Sequence, residues 1–351
     1  MMNDVMPIIM NTNFEKLAVI DDYTSLIWTK RFYKSGDFEL VVSADLTSTN
    51  LFRKDYYVMR FDDEDVGVIE DIQINRTSEG DDQMIITGRF LGSILARRII
   101  PTQTIVSGSI DSCINTLINQ NVISPAVDAR KISNFKLGSY SISKTIEDAQ
   151  YVGDNLLEVI EGLCETYGIG YKVTLDDQNQ FVFTLYEGEN RTYDQTKNPY
   201  VIFSDAYDNL ISMQYEENYQ KMVNTVFVDG EEETEDGKHH SLWVNGAKSG
   251  LGRFELYSDQ SNLSAEGDEV ITDAQYDAML TEAGKALITT YTKAFSGEVN
   301  FDYDHNKEVN VGDIVVIESC RWNIRENSRI VEMIESVSES GEHKFVPTFG
   351  V

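Results

Sequence analysis

Apolar and polar residues alternate with a period of two through much of this chain. Residues 24–44, TSLIWTKRFYKSGDFELVVSA, carry the clearest case. Leu26 and Trp28 alternate with Ile27 and Thr29, and Phe38, Leu40 and Val42 alternate with Glu39 and Val41. Gly36 in the turn between the arms offers the positive φ that hairpin loops use. Further strands are expected at 15–20, 56–61, 66–75 and 83–90, and the acidic loop 62–65 reads as a solvated turn. Short strands separated by turn residues make this stretch a small barrel or sandwich.

The period then lengthens. Residues 92–99 predict a short helix ending in Arg97 and Arg98, and 109–119 carry Ile110, Ile114, Leu117 and Ile118 at helical spacing. Helix 155–167 is better marked. Asn155 is its N-cap, with Glu158 three residues on in the capping-box arrangement. Leu156, Leu157, Ile160, Leu163, Cys164 and Tyr167 form its stripe, and Gly168 ends it. The hairpin YKVTL/FVFTLY follows, so 105–197 reads as an α+β insertion.

Strands return at 200–203, 209–217 and 221–228, then 229–240, DGEEETEDGKHH, reads as a loop tip. Thr272 and Gln275 form a capping box for a helix over 272–293, with Leu280, Ala283, Leu287, Ile288 and Tyr291 on one face. Gly284 within it costs roughly 1 kcal/mol relative to Ala. Strands at 297–303, 313–318, 320–325, 329–337 and 343–348 complete the pattern. The fold class expected is α+β, mostly β.

Length and charge narrow the function. A chain of 351 residues exceeds one ordinary core and predicts two to four domains. Lys and Arg number 29 against 59 Asp and Glu, a net charge of −30. That balance disfavours phosphate backbones and anionic lipid, which need clustered cations. It fits a solvated surface, or an anionic lumen past which DNA slides without sticking. Cys113 and Cys164 fall on apolar helix faces and read as reduced core residues. No basic, apolar leader and no run of about 18 apolar residues is visible.

Catalytic constellations are mostly absent from the sequence. The four His (His239, His240, His305 and His343) fall in no HExxH and in no frame with Cys or Ser. No Walker loop or GxGxxG occurs. With 59 acids, paired carboxylates select nothing. No catalytic residue, cofactor or metal ligand is expected. Arg97 and Arg98 read as one helix-terminal and one solvated group.

Several segments, in order along the chain, resemble a family of long-tailed phage and prophage tail proteins. This is the siphovirus-type tail-hub family, related to the baseplate hubs of contractile tails. The carriers include Leu26-Ile27-Trp28-Thr29 with Arg31, Gly36-Asp37-Phe38-Glu39-Leu40, Gly67-Val68-Ile69-Glu70-Asp71-Ile72, and Ile86-Thr87-Gly88 leading to Leu95-Ala96-Arg97-Arg98. Asn155-Leu156-Leu157-Glu158, Tyr186-Glu187-Gly188, Asn190-Arg191-Thr192, Val201-Ile202-Phe203-Ser204, Asn209-Leu210, Asn224-Thr225-Val226 and Pro347-Thr348-Phe349-Gly350 continue the series. The structural positions marked are Trp28, Arg31, Gly36, Asp37, Phe38, Glu70, Gly88, Arg98, Gly188, Arg191, Phe203, Asn209, Asn224 and Gly350.

The resemblance implies a homotrimer in which each subunit gives two β-barrel domains, so that six barrels continue a sixfold tail tube. It implies a first barrel at 1–104, an α+β neighbour at 105–197, a second barrel from 198–235 plus 295–351, and an α+β insertion at 236–294. Implied partners are tail-tube or tube-initiator protein, a spike, needle or fibre protein, tape-measure protein and baseplate wedge proteins. The implied place is the tail tip of a virion or tail-like particle assembled in a bacterial host, with no specific nucleic-acid binding and no membrane anchor. Some members carry a C-terminal peptidoglycan hydrolase or fibre that this sequence lacks, so wall cutting is expected of another chain. The alternatives are a tail-tip cell-wall hydrolase, needing a convergent acid pair, or a carbohydrate-binding adhesin, needing aromatics clustered on an exposed face.

Overall fold

The computed structural model describes residues 5–76, 82–230, 239–263, 272–289, 292–299 and 309–350. The alternating segments form strands as their pattern requires. Asp37–Ser43 buries every second residue, Phe38, Leu40 and Val42, and Ser25–Arg31 buries Leu26 and Trp28 on the same core. The fold is α+β and mostly β, and most strands join one 13-stranded sheet.

That sheet contains one pairing scheme twice. In the first half, Ser25–Arg31 pairs with Asp37–Ser43, then come Asp82–Phe90, Val66–Arg76, Tyr57–Met59 and Ile8–Met10. In the second half, Gln214–Asn218 pairs with Thr292–Ser296, then come His343–Gly350, Ile324–Ser338, Ile314–Ser319 and Ile202–Ser204. Numbered by order in the chain, with Lys16–Val19 left aside, both halves read 2-3-6-5-4-1. The last pair differs, antiparallel in the first half and parallel in the second.

Both long hairpins also carry a bulge at the matching place. One lies between Ile69 and Asp71 opposite Gly88 and Thr87, the other between Ile330 and Glu332 opposite Phe349 and Thr348. Each half has its own core: Trp28, Phe38, Leu40 and Ile86 in the first, Phe203, Phe295, Ile330 and Phe349 in the second. The halves join where Ile324–Ser338 pairs antiparallel with Ser25–Arg31. Among the described residues the strand path is open, ending at Gln214–Asn218 and Lys16–Val19, and no closed barrel is present.

Two smaller units flank the sheet. Residues 104–186 supply two small sheets and the helices Ile110–Ile118 and Leu156–Tyr167, around Leu117, Ile160, Cys164 and Phe183. The other has Thr225–Asp229 between Ser241–Val244 and Glu255–Asp259, backed by the helix Asp273–Ala286. Thr225–Asp229 was expected in the second barrel, but its buried Val226 and Val228 pack with Tyr276 and Leu280 of that helix.

Several local expectations need correction. Asn155 caps its helix by accepting from the amides of Leu157 and Glu158, but the reciprocal Glu158 bond of a capping box is not formed. The Thr272–Gln275 capping box is formed, yet the helix ends at Ala286 and Thr292–Ser296 is a strand. The β-branched run after Leu287 favours extended chain over further helical turns. Of the strand expected at 320–325, residues 320–323 form a turn, while 324–325 and 329–337 belong to one continuous strand, Ile324–Ser338. Most of 229–240, and 300–303 of the strand expected at 297–303, lie outside the described residues.

Candidate functional site

The joint between the halves is charged and buried. Arg60, 1% exposed, donates to Glu335 at 2.7 and 2.8 Å and to Asp62 at 3.0 Å. Its guanidinium lies 5.5 Å from the Trp28 ring, and Glu335 also meets His343 Nε2 at 2.6 Å. Lys30 contacts Asp63 at 2.7 Å and Asp65 at 3.4 Å, while Lys172 of the α+β unit reaches Glu64. The acidic loop 62–65 is a bend that is solvated at Asp62 and Glu64, as expected, while Asp63 and Asp65 fold back onto Lys30 of the seam. The strand at Lys30 and the pairing across the joint bring it there.

These groups line a cavity of about 790 Å³, whose walls include Lys30, Asp65, Tyr171, Tyr186, Asp313 and Phe345. Burial pushes the Asp65 carboxyl up to about 6, although Lys30 pulls it down. Burial works against the charge on Lys30 and on Arg60 as well. Asp65 and Asp63 overcome it at Lys30, and Asp62 and Glu335 overcome it at Arg60, so both pKa values rise. The carboxylates are thus engaged by cations that hold three segments together. A glycosidase pair needs an acid and a carboxylate facing an open cleft, and this cluster is a clamp instead. Among the described residues no group of His, Cys, Asp and Glu has a metal-holding arrangement.

The positions marked in the sequence occupy joints of the fold. Arg31 ties Asp37 to Glu332 across the halves, with 2.8 Å to Glu332. Glu70 holds Arg89 with two bonds of 2.8 Å. Gly36 has no positive φ; its lack of a side chain matters because a Cβ would stand 2.2 Å from the Thr29 carbonyl oxygen. At the first bulge a Cβ on Gly88 would stand 1.8 Å from Val68 O, and at Gly188 it would stand 1.7 Å from Gly312 O. Beside Gly188, the buried Arg191 pairs with Asp313 at 2.7 Å and Glu189 at 2.9 Å.

Trp28 and Phe38 stack tilted at 5.9 Å, and Phe203 and Phe349 at 5.2 Å. Gly350 packs beside Val331. Asn209 bridges Ser204 N and Ile202 O, and Asn224 bridges Phe254 N and Gly252 O. Arg98, at the C-cap of the short helix Leu91–Arg97, donates to the Arg130 carbonyl at 2.7 Å, and Arg97, exposed in its last turn, pairs with Asp55 at 2.6 Å.

Sequence reasoning missed two surfaces. The outer face of the small three-stranded sheet carries a cross-strand row of Tyr257, Phe227 and Trp243. Phe227 lies 4.9 Å from Trp243 and 6.1 Å from Tyr257, and Arg253 sits 4.5 Å above Trp243. Trp243 and Tyr257 are 45% and 60% exposed. The row was invisible because its members lie on three strands. The second surface is a pair of strand edges with no neighbouring strand among the described residues, at 71–76 and at Gln214–Asn218.

A family model matches residues 7–351, that of the siphovirus ReqiPepy6 Gp37-like proteins. The chain belongs to this family. No curated protein matches it. Among solved structures it is similar to a tail protein from Neisseria meningitidis MC58, with TM-score 0.60 and 12% identity over 99% of this chain and 96% of that one. It is also similar to the prophage tail protein gp18 from Listeria monocytogenes EGD-e, with TM-score 0.57 and 13% identity over 98% and 94%. A third is the 43 kDa tail protein of prophage MuSo2 from Shewanella oneidensis, with TM-score 0.56 and 12% identity over 98% of each chain. The Gp37-like chain therefore has the fold of phage tail proteins, and none of its described helices is long and apolar enough to cross a membrane.

Proposed function

We propose that this Gp37-like chain is a structural, non-enzymatic hub of a phage tail tip or tail-like particle. In this reading three copies form a ring that adapts a sixfold tube to a threefold tip. The observation that carries it is the twice-used strand order 2-3-6-5-4-1. A chain with two like modules presents six near-equivalent units when trimeric, which resolves a mismatch between threefold and sixfold symmetry. Residues 1–104 form one module, and 198–224 with about 290–351 form the other. The units at 105–197 and 225–289 are appended to them. Tube or tube-initiator subunits, a spike, needle or fibre protein, wedge proteins and tape-measure helices are the partners that such a ring would meet.

Size and co-assembly test the reading. The purified chain, alone and co-expressed with the tube protein of its own particle, is weighed by native mass spectrometry. Trimers that join tube subunits are expected. A chain that stays monomeric at high concentration and ignores the tube protein contradicts the proposal.

The row Tyr257–Phe227–Trp243 favours a second role for the inserted unit, in glycan contact. Aromatic faces stack on the apolar faces of sugars, and the nearby Asp229, Asp259, Ser241 and Arg253 supply hydrogen-bonding groups. Purified host wall polysaccharide is expected to bind the intact chain and not Trp243→Ala or Tyr257→Ala; equal binding by all three removes this role.

A further inference from the structure

The two halves of this chain already show how one module docks on another, and that contact can be carried to the next subunit. Within the chain, Ile324–Ser338 uses one side for His343–Gly350. Its other side serves Ile314–Ser319 before the bulge and Ser25–Arg31 after it. In the first module the equivalent strand, Val66–Arg76, uses one side for Asp82–Phe90 and the other for Tyr57–Met59 before the bulge. After the bulge, residues 71–76 have no strand on that second side among the described residues. Likewise Gln214–Asn218, the counterpart of Ser25–Arg31, has no strand beyond it among the described residues.

We propose that residues 71–76 of one subunit pair antiparallel with 214–218 of the next, repeating between subunits the joint seen within one. This rests on the ring reading above and specifies its interface. The bulges set the alignment. Thr87 opposite Asp71 matches Thr348 opposite Glu332, and Gly88 opposite Ile69 matches Phe349 opposite Ile330. Phe38 opposite Gly88 then matches Phe295 opposite Phe349. Trp28 opposite Phe38 matches Tyr215 opposite Phe295, and both aromatic pairs are in tilted contact, at 5.9 and 4.6 Å.

Within the chain Ser336 faces Ile27, Ile334 faces Thr29 and Glu332 faces Arg31. The same register between subunits sets Asn75 opposite Gln214, Gln73 opposite Glu216 and Asp71 opposite Asn218. No like charges meet directly across the ladder, where they would destabilise it. Ile74, 56% exposed here, takes the place of Glu335, which the joint buries to 5%. Ile72 and Ile74 alternate with polar residues along 71–76, and an exposed strand edge of this kind is what a strand-adding partner uses. The contact joins unlike surfaces, so it is heterologous and closes when the rotation completes a ring.

Paired cysteines test the register in the full-length chain co-expressed with its tube protein. Cys320 is exposed and is first replaced, Cys320→Ser, while Cys113 and Cys164 are buried. Asn75→Cys with Gln214→Cys, and separately Gln73→Cys with Glu216→Cys, are expected to give disulfide-linked dimers and trimers on mild oxidation. Asn75→Cys with Asn218→Cys, displaced along the ladder, is expected to give none. Trimers by native mass spectrometry without the two expected cross-links overturn this interface and leave the ring standing. Absence of any oligomer overturns both.

Discussion

At the residue scale the seam is held by groups far apart in sequence. Arg60 and Glu335 are 275 positions apart, and Arg191 and Asp313 are 122 apart. No spacing rule could join them, which is why Asp63 and Asp65 read as solvent-facing with the rest of their loop. Asp65 makes the cluster sensitive to pH. Its folded pKa, about 6, stands above the ordinary 3.8, so the fold prefers it protonated. Its contribution to stability is fully present below the lower value and is lost as pH rises through the upper one. Asp65→Asn is therefore expected to raise the denaturation midpoint at pH 7.5, with Lys30 retaining Asp63, and to leave it nearly unchanged at pH 4. A midpoint unaltered at pH 7.5 contradicts this account. Gly188 is a steric counterpart. Gly188→Ala forces backbone apart at the Gly312 carbonyl and is expected to cost about 1–3 kcal/mol in chemical denaturation, as overpacking does.

At the element scale, regular patterns were legible and short or long irregular ones were not. The hairpin Ser25–Arg31/Asp37–Ser43 and the helix Leu156–Tyr167 follow from periodicity, an Asn cap and Gly168 in the left-handed region. Ile8–Met10 and Phe135–Leu137 are too short for a period to register. The length of Ile324–Ser338 is hidden in the sequence because polar RENS, with Arg325 and Asn327 exposed, interrupts its apolar pattern. Gly284 read as a cost to its helix, but a Cβ there would stand 2.5 Å from Val244 and 2.7 Å from Val228. The glycine lets helix and sheet approach closely. Gly284→Leu is expected to separate them, visible as faster amide exchange in Asp273–Ala286 and Thr225–Asp229 while the main sheet stays protected. Uniform protection in the variant contradicts that packing role.

At the scale of the whole molecule, the sequence resemblance pointed to two like modules, but composition and periodicity alone showed no repeat. The reason is physical: a strand order tolerates almost any residues that keep the inward alternation, so pairing survives where wording does not. Thr87 with Thr348, Ile69 with Ile330 and Phe38 with Phe295 preserve identity, and the other matched positions named here do not. The inserted units differ more, since one follows the first module and the other interrupts the second between Gln214–Asn218 and Thr292–Ser296. The most direct test of the account is an experimental density map of the chain assembled on its tail tube. The account predicts three subunits whose six modules repeat at near-equal rotations around the tube axis, joined edge to edge. Modules that fail to superpose, or a chain lying outside the axial ring, would contradict it.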